Sequence, residues 1–230
     1  MLFDKTFVHV PLESLNFDLL SETTDSGRFY VTPSGDKYKS VTTVLSELNK
    51  SAILEWRQRV GEEEANRVSR IAASKGTKYH STVEKYLQND LTPMQISGLI
   101  PEVKQMFLRM KPILDENIGE IYGIEKALYS DDLRLAGRVD LIANYDGVLS
   151  IVDHKTASKK KQEGWITNYF YQAAIYAKML EERTGNFPER IVIAIAVVDD
   201  EPQVFVKNTK DYLMQAQEFV YTYHMERKTV

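Results

Sequence analysis

Two carboxylates and an amine fall together near the middle of the chain. Asp140 closes Gly137-Arg138-Val139-Asp140, and Asp153 and Lys155 end Ile151-Val152-Asp153-His154-Lys155. Apolar β-formers flank all three: Val139, Leu141 and Ile142 around Asp140, and Val148, Leu149, Ile151 and Val152 ahead of Asp153. This pattern predicts a β-hairpin, Leu133–Asn144 and Val148–Thr156, turning at Tyr145-Asp146-Gly147. Ionised groups at the end of an apolar strand are costly to desolvate unless something compensates. A divalent cation shared by both carboxylates does so, and oxygen ligands suit Mg²⁺ or Mn²⁺ rather than zinc. Lys155, two residues after Asp153, points the same way in a strand. The chemistry implied is attack of a polarised water on a phosphodiester, with the lysine offsetting charge that develops on the phosphorus oxygens.

The acid-x-lysine triplet proves nothing by itself. It occurs three times, at Glu102-Val103-Lys104, Asp153-His154-Lys155 and Glu226-Arg227-Lys228. Chance predicts roughly two or three copies in a chain so rich in both residue types. Only the middle copy ends an apolar strand and follows a partner strand bearing an aspartate. The plain alternative is a hairpin with an exposed cross-strand ion pair, worth at most about 1 kcal/mol.

Four further groups bear on such a site. His80, in Gly76-Thr77-Lys78-Tyr79-His80 near a predicted helix start, is either a packing residue or a neutral metal ligand. Glu125, between Ile124 and Lys126, reads as an edge-strand surface charge, or as a third ligand or supporting acid. His154 alternates away from Asp153 and Lys155, so only its backbone carbonyl is available to a cation. Lys159, Lys160 and Lys161 form a basic stretch beside the acids, either a phosphate-binding patch or a solvated loop.

The elements that must hold these residues follow from punctuation and periodicity. Arg28–Val31 and Lys37–Lys39 flank Pro33-Ser34-Gly35-Asp36 as a small hairpin. A helix starts after Ser40 or Thr42 as cap. Ser51–Ala73 is expected to be an amphipathic helix about Ile53, Leu54, Trp56 and Val60, with a break near Ser74–Gly76 and a new helix over Lys75–Gln88. Glu102–Leu114 carries Val103, Met106, Phe107 and Met110 at helical spacing. Strands are expected at Ile121–Tyr129, Arg190–Val198 and Gln203–Lys207, and helices at Glu163–Arg183 and Asp211–Glu226. The Glu163–Arg183 helix has a core stripe (Ile166, Phe170, Ala173, Ala177, Leu180) and a neighbouring one of Trp165, Tyr169, Gln172 and Tyr176. The second suits base stacking and phosphate hydrogen bonds, or simple boundary packing. The fold class is α/β: a mixed central β-sheet flanked by helices, with a helical N-terminal lobe. The expected organisation is an N-terminal segment (1–40), a helical lobe (41–118) and the sheet core (119–230).

Bulk properties narrow the classes. At 26.5 kDa the chain should fold with about 10,700 Å² of surface, enough for one substantial core. A net charge of −4 argues against coating duplex DNA by bulk attraction, though not against local phosphate contacts. Zero cysteines exclude thiol catalysis and a cysteine-held iron–sulfur cluster. No apolar run approaches a membrane span and the N-terminus has no signal-peptide pattern, so an intracellular protein is expected.

Taken in order, Gly76–His80, Glu125, Gly137–Asp140, Asp153-His154-Lys155 and Gln172-Ala173-Ala174-Ile175-Tyr176 resemble the RecB-like branch of the PD-(D/E)XK nuclease superfamily. The chain looks most like the mitochondrial genome maintenance exonucleases and related phage exonucleases, from about residue 28 to 200. The resemblance implies a restriction-endonuclease-like core and a Mg²⁺- or Mn²⁺-dependent deoxyribonuclease acting from free ends of single-stranded DNA. His80, Asp140, Asp153 and the His154 carbonyl would bind metal and Lys155 would assist. Gln172 and Tyr176, with Tyr169 and Lys159 beside them, would meet the substrate. It also implies a monomer working with replication or recombination proteins, in the host cytoplasm if phage-encoded, with the helical lobe arching over the site. Relatives that carry an iron–sulfur cluster use cysteines absent here. A duplex-end exonuclease, an endonuclease and a non-catalytic nucleic-acid-binding protein are the competing readings.

Overall fold

The computed structural model describes residues 5–228. An N-terminal ribbon of β1 (Leu20–Thr24), β2 (Gly27–Val31) and β3 (Lys37–Ser40) leads into α1 (Val41–Leu45), α2 (Lys50–Val60) and α3 (Glu62–Leu87). After α4 (Pro93–Ser97) and α5 (Pro101–Asn117) come β4 (Ile118–Ser130), β5 (Leu135–Tyr145) and β6 (Val148–Ala157). Then follow α6 (Thr167–Thr184), β7 (Arg190–Val197), β8 (Gln203–Asn208) and α7 (Lys210–Lys228).

All eight strands join one mixed sheet. The β5–β6 hairpin closes through Asp146-Gly147, both at positive φ (48° and 73°), the geometry a two-residue hairpin turn demands. β7 lies parallel to β6 after the α6 crossover, and β8 returns antiparallel. In β7, Ile191, Ile193 and Ile195 pack into the core shared with α6 and α7, while Val192, Ala194 and Ala196 pack with α3 and α5. The sheet is therefore covered on both faces, as its nearly continuous apolar runs require.

The pairing of β5 matters most. β4 runs along the whole of one edge. The other edge is shared: β3 pairs in parallel with Leu135 and Ala136, and β6 pairs antiparallel from Leu141 to Tyr145. Between them, Gly137–Asp140 has no strand beside it on that second edge. The motif thus lies at a fork in the sheet.

The mixed sheet between helices is as expected, and the strand limits agree to within a few residues. Four features differ. The strand Leu20–Thr24 has no counterpart among the expected elements, since its residues alternate no apolar face and all five are exposed. α3 does not break near Ser74–Gly76: it runs unbroken from Glu62 to Leu87, and the break is at Gly61, at φ 85°. Gly76 stays in helical conformation, facing β6, where a Cβ would meet the Thr156 hydroxyl at 3.5 Å, an ordinary contact. The stripe Ile53, Leu54, Trp56 and Val60 does not enter the core: α2 buries no residue, and Ile53 and Leu54 are about half exposed. Finally, α6 begins at Thr167, leaving Trp165 in a 3₁₀ turn and 64% exposed.

The C-terminal half of α3 carries Tyr79, Val83, Tyr86 and Leu87 into the core against Val103, Met106 and Phe107 of α5. Its N-terminal half projects, with Val68 and Ile71 exposed. Arg57 reaches across Gly61 to Glu62 and Asn66 and fixes the α2–α3 corner. The surface area of 12318 Å² exceeds the compact expectation of about 10,700 Å², consistent with helices that stand off the core.

Candidate active site

The fork in β5 sets the geometry. Backbone pairing between β5 and β6, followed from the turn, ends at Leu141 and Val152, one residue short of Asp140 and Asp153. The His154 N–H then turns to the Asp140 side chain and donates to Oδ2 at 2.8 Å. The carboxylate therefore takes the place of a strand carbonyl. On the other side of the same oxygen stands His80 from α3, with Nδ1 3.5 Å away.

Asp153 is 1% exposed and Lys155 is close to it, Nζ to Oδ2 2.5 Å. The two form a buried ion pair, and the Lys155 ammonium is the one partner that Oδ2 has among the described residues. Burial raises the Asp153 carboxyl above its usual range; Lys155 opposes the rise and Asp140 adds to it. Burial works against the Lys155 ammonium, but Asp153 and Asp140 outweigh it and the amine is held above its ordinary value. Lys155 is a fixed cation. Its Nζ also donates to Gln172 Oε1 at 3.3 Å and sits 5.0 Å above the Tyr169 ring.

Gln172 and Tyr176 share the α6 face that meets the fork. Tyr176 is 2% exposed and presents no ring face for stacking a base. Its hydroxyl lies where a Cβ on residue 137 would be, at 2.6 Å, so only glycine fits there. The second stripe of α6 thus positions Lys155 and the fork rather than forming an open stacking platform.

Glu125 is not a surface charge. It faces the fork from β4, partly buried, at φ 50° in a strand whose neighbours Ile124 and Lys126 keep their pairing with Leu141 and Val139. Such a backbone is strained for a non-glycine residue and is characteristic of functional sites. Arg138 holds it by donating to the Glu125 carbonyl at 2.7 Å while its other nitrogen pairs with Asp18, also at 2.7 Å. Burial, then Asp140 and Glu84, push the Glu125 carboxyl up to about 7. Ligand atoms of His80, Glu125 and Asp140 all lie within 4.8 Å of one another.

Other expectations are placed as follows. The His154 side chain does face away from Asp153 and Lys155; its ring is buried, 6.4 Å from that of His80, with neither nitrogen hydrogen-bonded. Burial brings its pKa down to about 4, so it is neutral. His9 and His224 bond the carbonyls of Leu87 and Leu133, away from the acids. Lys159 is exposed and does not line the cavity, and Lys160 pairs with Asp200 at 2.8 Å. The cavity, about 710 Å³, has an unforeseen wall in Ser21, Arg28, Tyr30, Ser40 and Thr42 of the N-terminal ribbon and α1. Only the turn signals around Gly35 and the Ser40 cap pointed there.

Residues 44–224 match the nuclease domain of the PD-(D/E)XK superfamily. The chain belongs to the PD-(D/E)XK nuclease superfamily. It is 26% identical over 211 residues to mitochondrial genome maintenance exonuclease 1 of Xenopus tropicalis, a match covering 85% of this chain and 58% of that protein. It thus spans little more than half the length of that relative. A solved putative exonuclease from Eubacterium rectale aligns with a TM-score of 0.46 at 14% identity, covering 66% of this chain and 65% of that one. No helix among the described residues is long and apolar enough to cross a membrane.

Proposed function

We propose that this PD-(D/E)XK nuclease is a divalent-metal-dependent exonuclease that hydrolyses single-stranded DNA from free ends, in replication, recombination or repair. The observation that carries the reading is the fork itself. An unpaired strand edge brings Asp140, Asp153 and Lys155 together, with the buried Asp153 carboxylate compensated only by the Lys155 ammonium.

Asp140, His80 and the partly buried Glu125, whose ligand atoms cluster, make with the neighbouring Asp153 a donor set of oxygens and one imidazole that fits Mg²⁺ or Mn²⁺. Asp140, Asp153, His80 and the His154 carbonyl would hold the ion, with Glu125 completing the set. When bound, the cation polarises the scissile phosphate and acidifies a water. Lys155, kept charged by Asp153 and anchored by Gln172, holds positive charge where the pentavalent phosphorus centre becomes most negative. Glu125 accepts a proton near neutrality. Tyr176 and Gly137 fix the distance between α6 and the fork. The ribbon wall and α1 offer Arg28 and the Thr42 hydroxyl to phosphate oxygens, with Ser40 capping α1 beneath them. Free-end preference is drawn from the exonuclease relative.

The test is digestion of end-labelled linear single-stranded DNA against a closed single-stranded circle, with Mg²⁺, Mn²⁺ or EDTA, beside Lys155→Ala. Loss of the linear strand alone, dependent on metal and on Lys155, is expected. Cutting of the circle would make the protein an endonuclease. Digestion of blunt duplex alone would make it a duplex-end enzyme, and no cutting with retained binding would make it an accessory protein.

A further inference from the structure

The N-terminal ribbon has two faces. Arg28, Tyr30 and Ser40 look into the catalytic cavity, while the alternate residues Phe29, Lys37 and Lys39 look the other way. On that second face, between the ribbon and α7, lies another cleft of about 670 Å³. Lys37, Lys39, Arg134 and Arg227 line it, and Asp132 is its one acid. An intervening cleft of about 640 Å³ shares Thr42 with the catalytic cavity and Lys39, Tyr223 and Arg227 with the basic one. The three depressions therefore lie side by side around the end of the ribbon, with Thr42 between the first pair and Lys39, Tyr223 and Arg227 between the second.

The cations are held in place. The Phe29 ring carries Lys37 at 5.2 Å and Lys39 at 5.5 Å; the Tyr223 ring carries Arg227 at 3.9 Å and Lys39 at 5.6 Å. Lys39 Nζ also donates to the Tyr223 hydroxyl at 3.0 Å. Lys37 is paired with Glu22 and Arg227 with Glu47. Lys39 and Arg134 have no carboxylate partner among the described residues. In a chain of net charge −4, two unpaired and two partly offset cations around one aspartate make a local positive groove.

We propose that this groove is a second binding site for the sugar–phosphate backbone of the strand whose end occupies the catalytic cavity. The inference rests on the exonuclease reading and adds to it the path of the strand away from the cut. The aromatic rings are engaged by the cations, so the groove binds phosphates without reading bases. The path passes the hydroxyls of Thr42 and Thr43, donors suited to phosphate oxygens, and carries Asp25 and Glu47 on its walls, the latter paired with Arg227. Adjacency to a cavity that takes a polyanion favours nucleic acid over an acidic protein segment.

The experiment uses the full chain and the double variant Lys39→Ala/Arg134→Asn. Asparagine suits residue 134, which has φ 50°. Cleavage is followed on single strands of roughly 4 and roughly 30 nucleotides, bracketing the usual site sizes of single-strand-binding surfaces. Expected for the long strand is a rise in KM of about tenfold with kcat retained. The slope of log(1/KM) against log salt should become shallower by about 1.4, some 0.7 for each lost phosphate contact. The short strand should change by less than about twofold, and Lys210→Ala, removing a charge elsewhere, should change neither. An unaltered long-strand KM, or an equal loss at both lengths, overturns the proposal. Competition by a polyglutamate peptide as effective as that by an oligonucleotide of equal charge also overturns it and assigns the groove to protein. If the parent enzyme cuts neither strand, the exonuclease reading itself fails and the groove proposal falls with it. Cleavage by the parent with no length-dependent effect removes the groove alone.

Discussion

Gly137 and Tyr176 show how tightly the fork is specified. A methyl group on residue 137 would sit 2.6 Å from the Tyr176 hydroxyl oxygen and 2.9 Å from its Cε1, and that ring is locked in the core by α6. Gly137→Ala should therefore cost about 1–3 kcal/mol, as overpacking does, and should lower activity by spreading the fork. Adding Tyr176→Phe removes the closest contact and should recover part of the stability; chemical denaturation of the single and double variants measures both. If Gly137→Ala is neutral, the close approach has no energetic weight. Lys155→Ala and Asp153→Asn act differently: each should abolish cleavage while leaving the circular dichroism spectrum and cooperative melting intact. Cleavage at the parental rate by either would sink the site assignment. The acids and lysine were legible because they interrupt apolar strands, where ionised groups need a reason. Glu125 was less legible, since its burial depends on a strained backbone that Arg138 clamps from the neighbouring strand. No local pattern announces that clamp, and a glutamate beside a lysine ordinarily reads as solvated.

At the scale of elements, periodicity served well where the sheet faces helices and misled where a helix leaves the core. The apolar stripe of α6 is buried at every position expected of it, from Ile166 to Leu180. The stripe of α2 looks similar and is exposed. Helical spacing of apolar residues tells which of them share a face and not what covers that face. Gly76 misled in another way: it read as a break, yet one glycine lowers helix propensity by only about 1 kcal/mol and α3 continues through it. Replacing Ile53, Leu54, Val68 and Ile71 together with glutamine should leave thermal stability nearly unchanged, because surface substitutions usually stay within about 0.5 kcal/mol each. Phe107→Ala, in the core edge-on to Tyr86 at 5.3 Å, should cost about 3–5 kcal/mol. If the quadruple variant melts far below the parent, α2 and the first half of α3 are covered in solution. Digestion of single strands by the quadruple variant, measured beside its melting, tests whether this arm guides the substrate.

For the whole molecule the consequence is a coupling of stability to protons and metal. Burial and neighbouring acids raise Glu125 to about 7, and burial raises Asp153 as well. A raised folded-state pKa means that the native protein binds these protons more tightly than the unfolded chain. Their contribution to stability is complete below the ordinary carboxylate range, near 4.5 for Glu125, and is lost as pH rises through about 7. Without divalent cation, melting temperature should thus decline from pH 5 to pH 8 on account of this cluster, and Glu125→Gln should flatten the decline. A divalent cation requires the deprotonated carboxylates, so its stabilisation has the opposite dependence, small at pH 5 and larger at pH 8. At about 100 times its dissociation constant it should add about 2.7 kcal/mol. Thermal melts of parent and Glu125→Gln at both pH values, with Mn²⁺ or EDTA, separate the two effects. A melting temperature indifferent to Mn²⁺ at pH 8 would mean that the fork binds no ion. A Glu125→Gln profile parallel to the parent's would remove Glu125 from the linkage. The same acids that weaken the empty fold at neutral pH then hold the metal, so the protein would be most stable near neutrality with its ion bound.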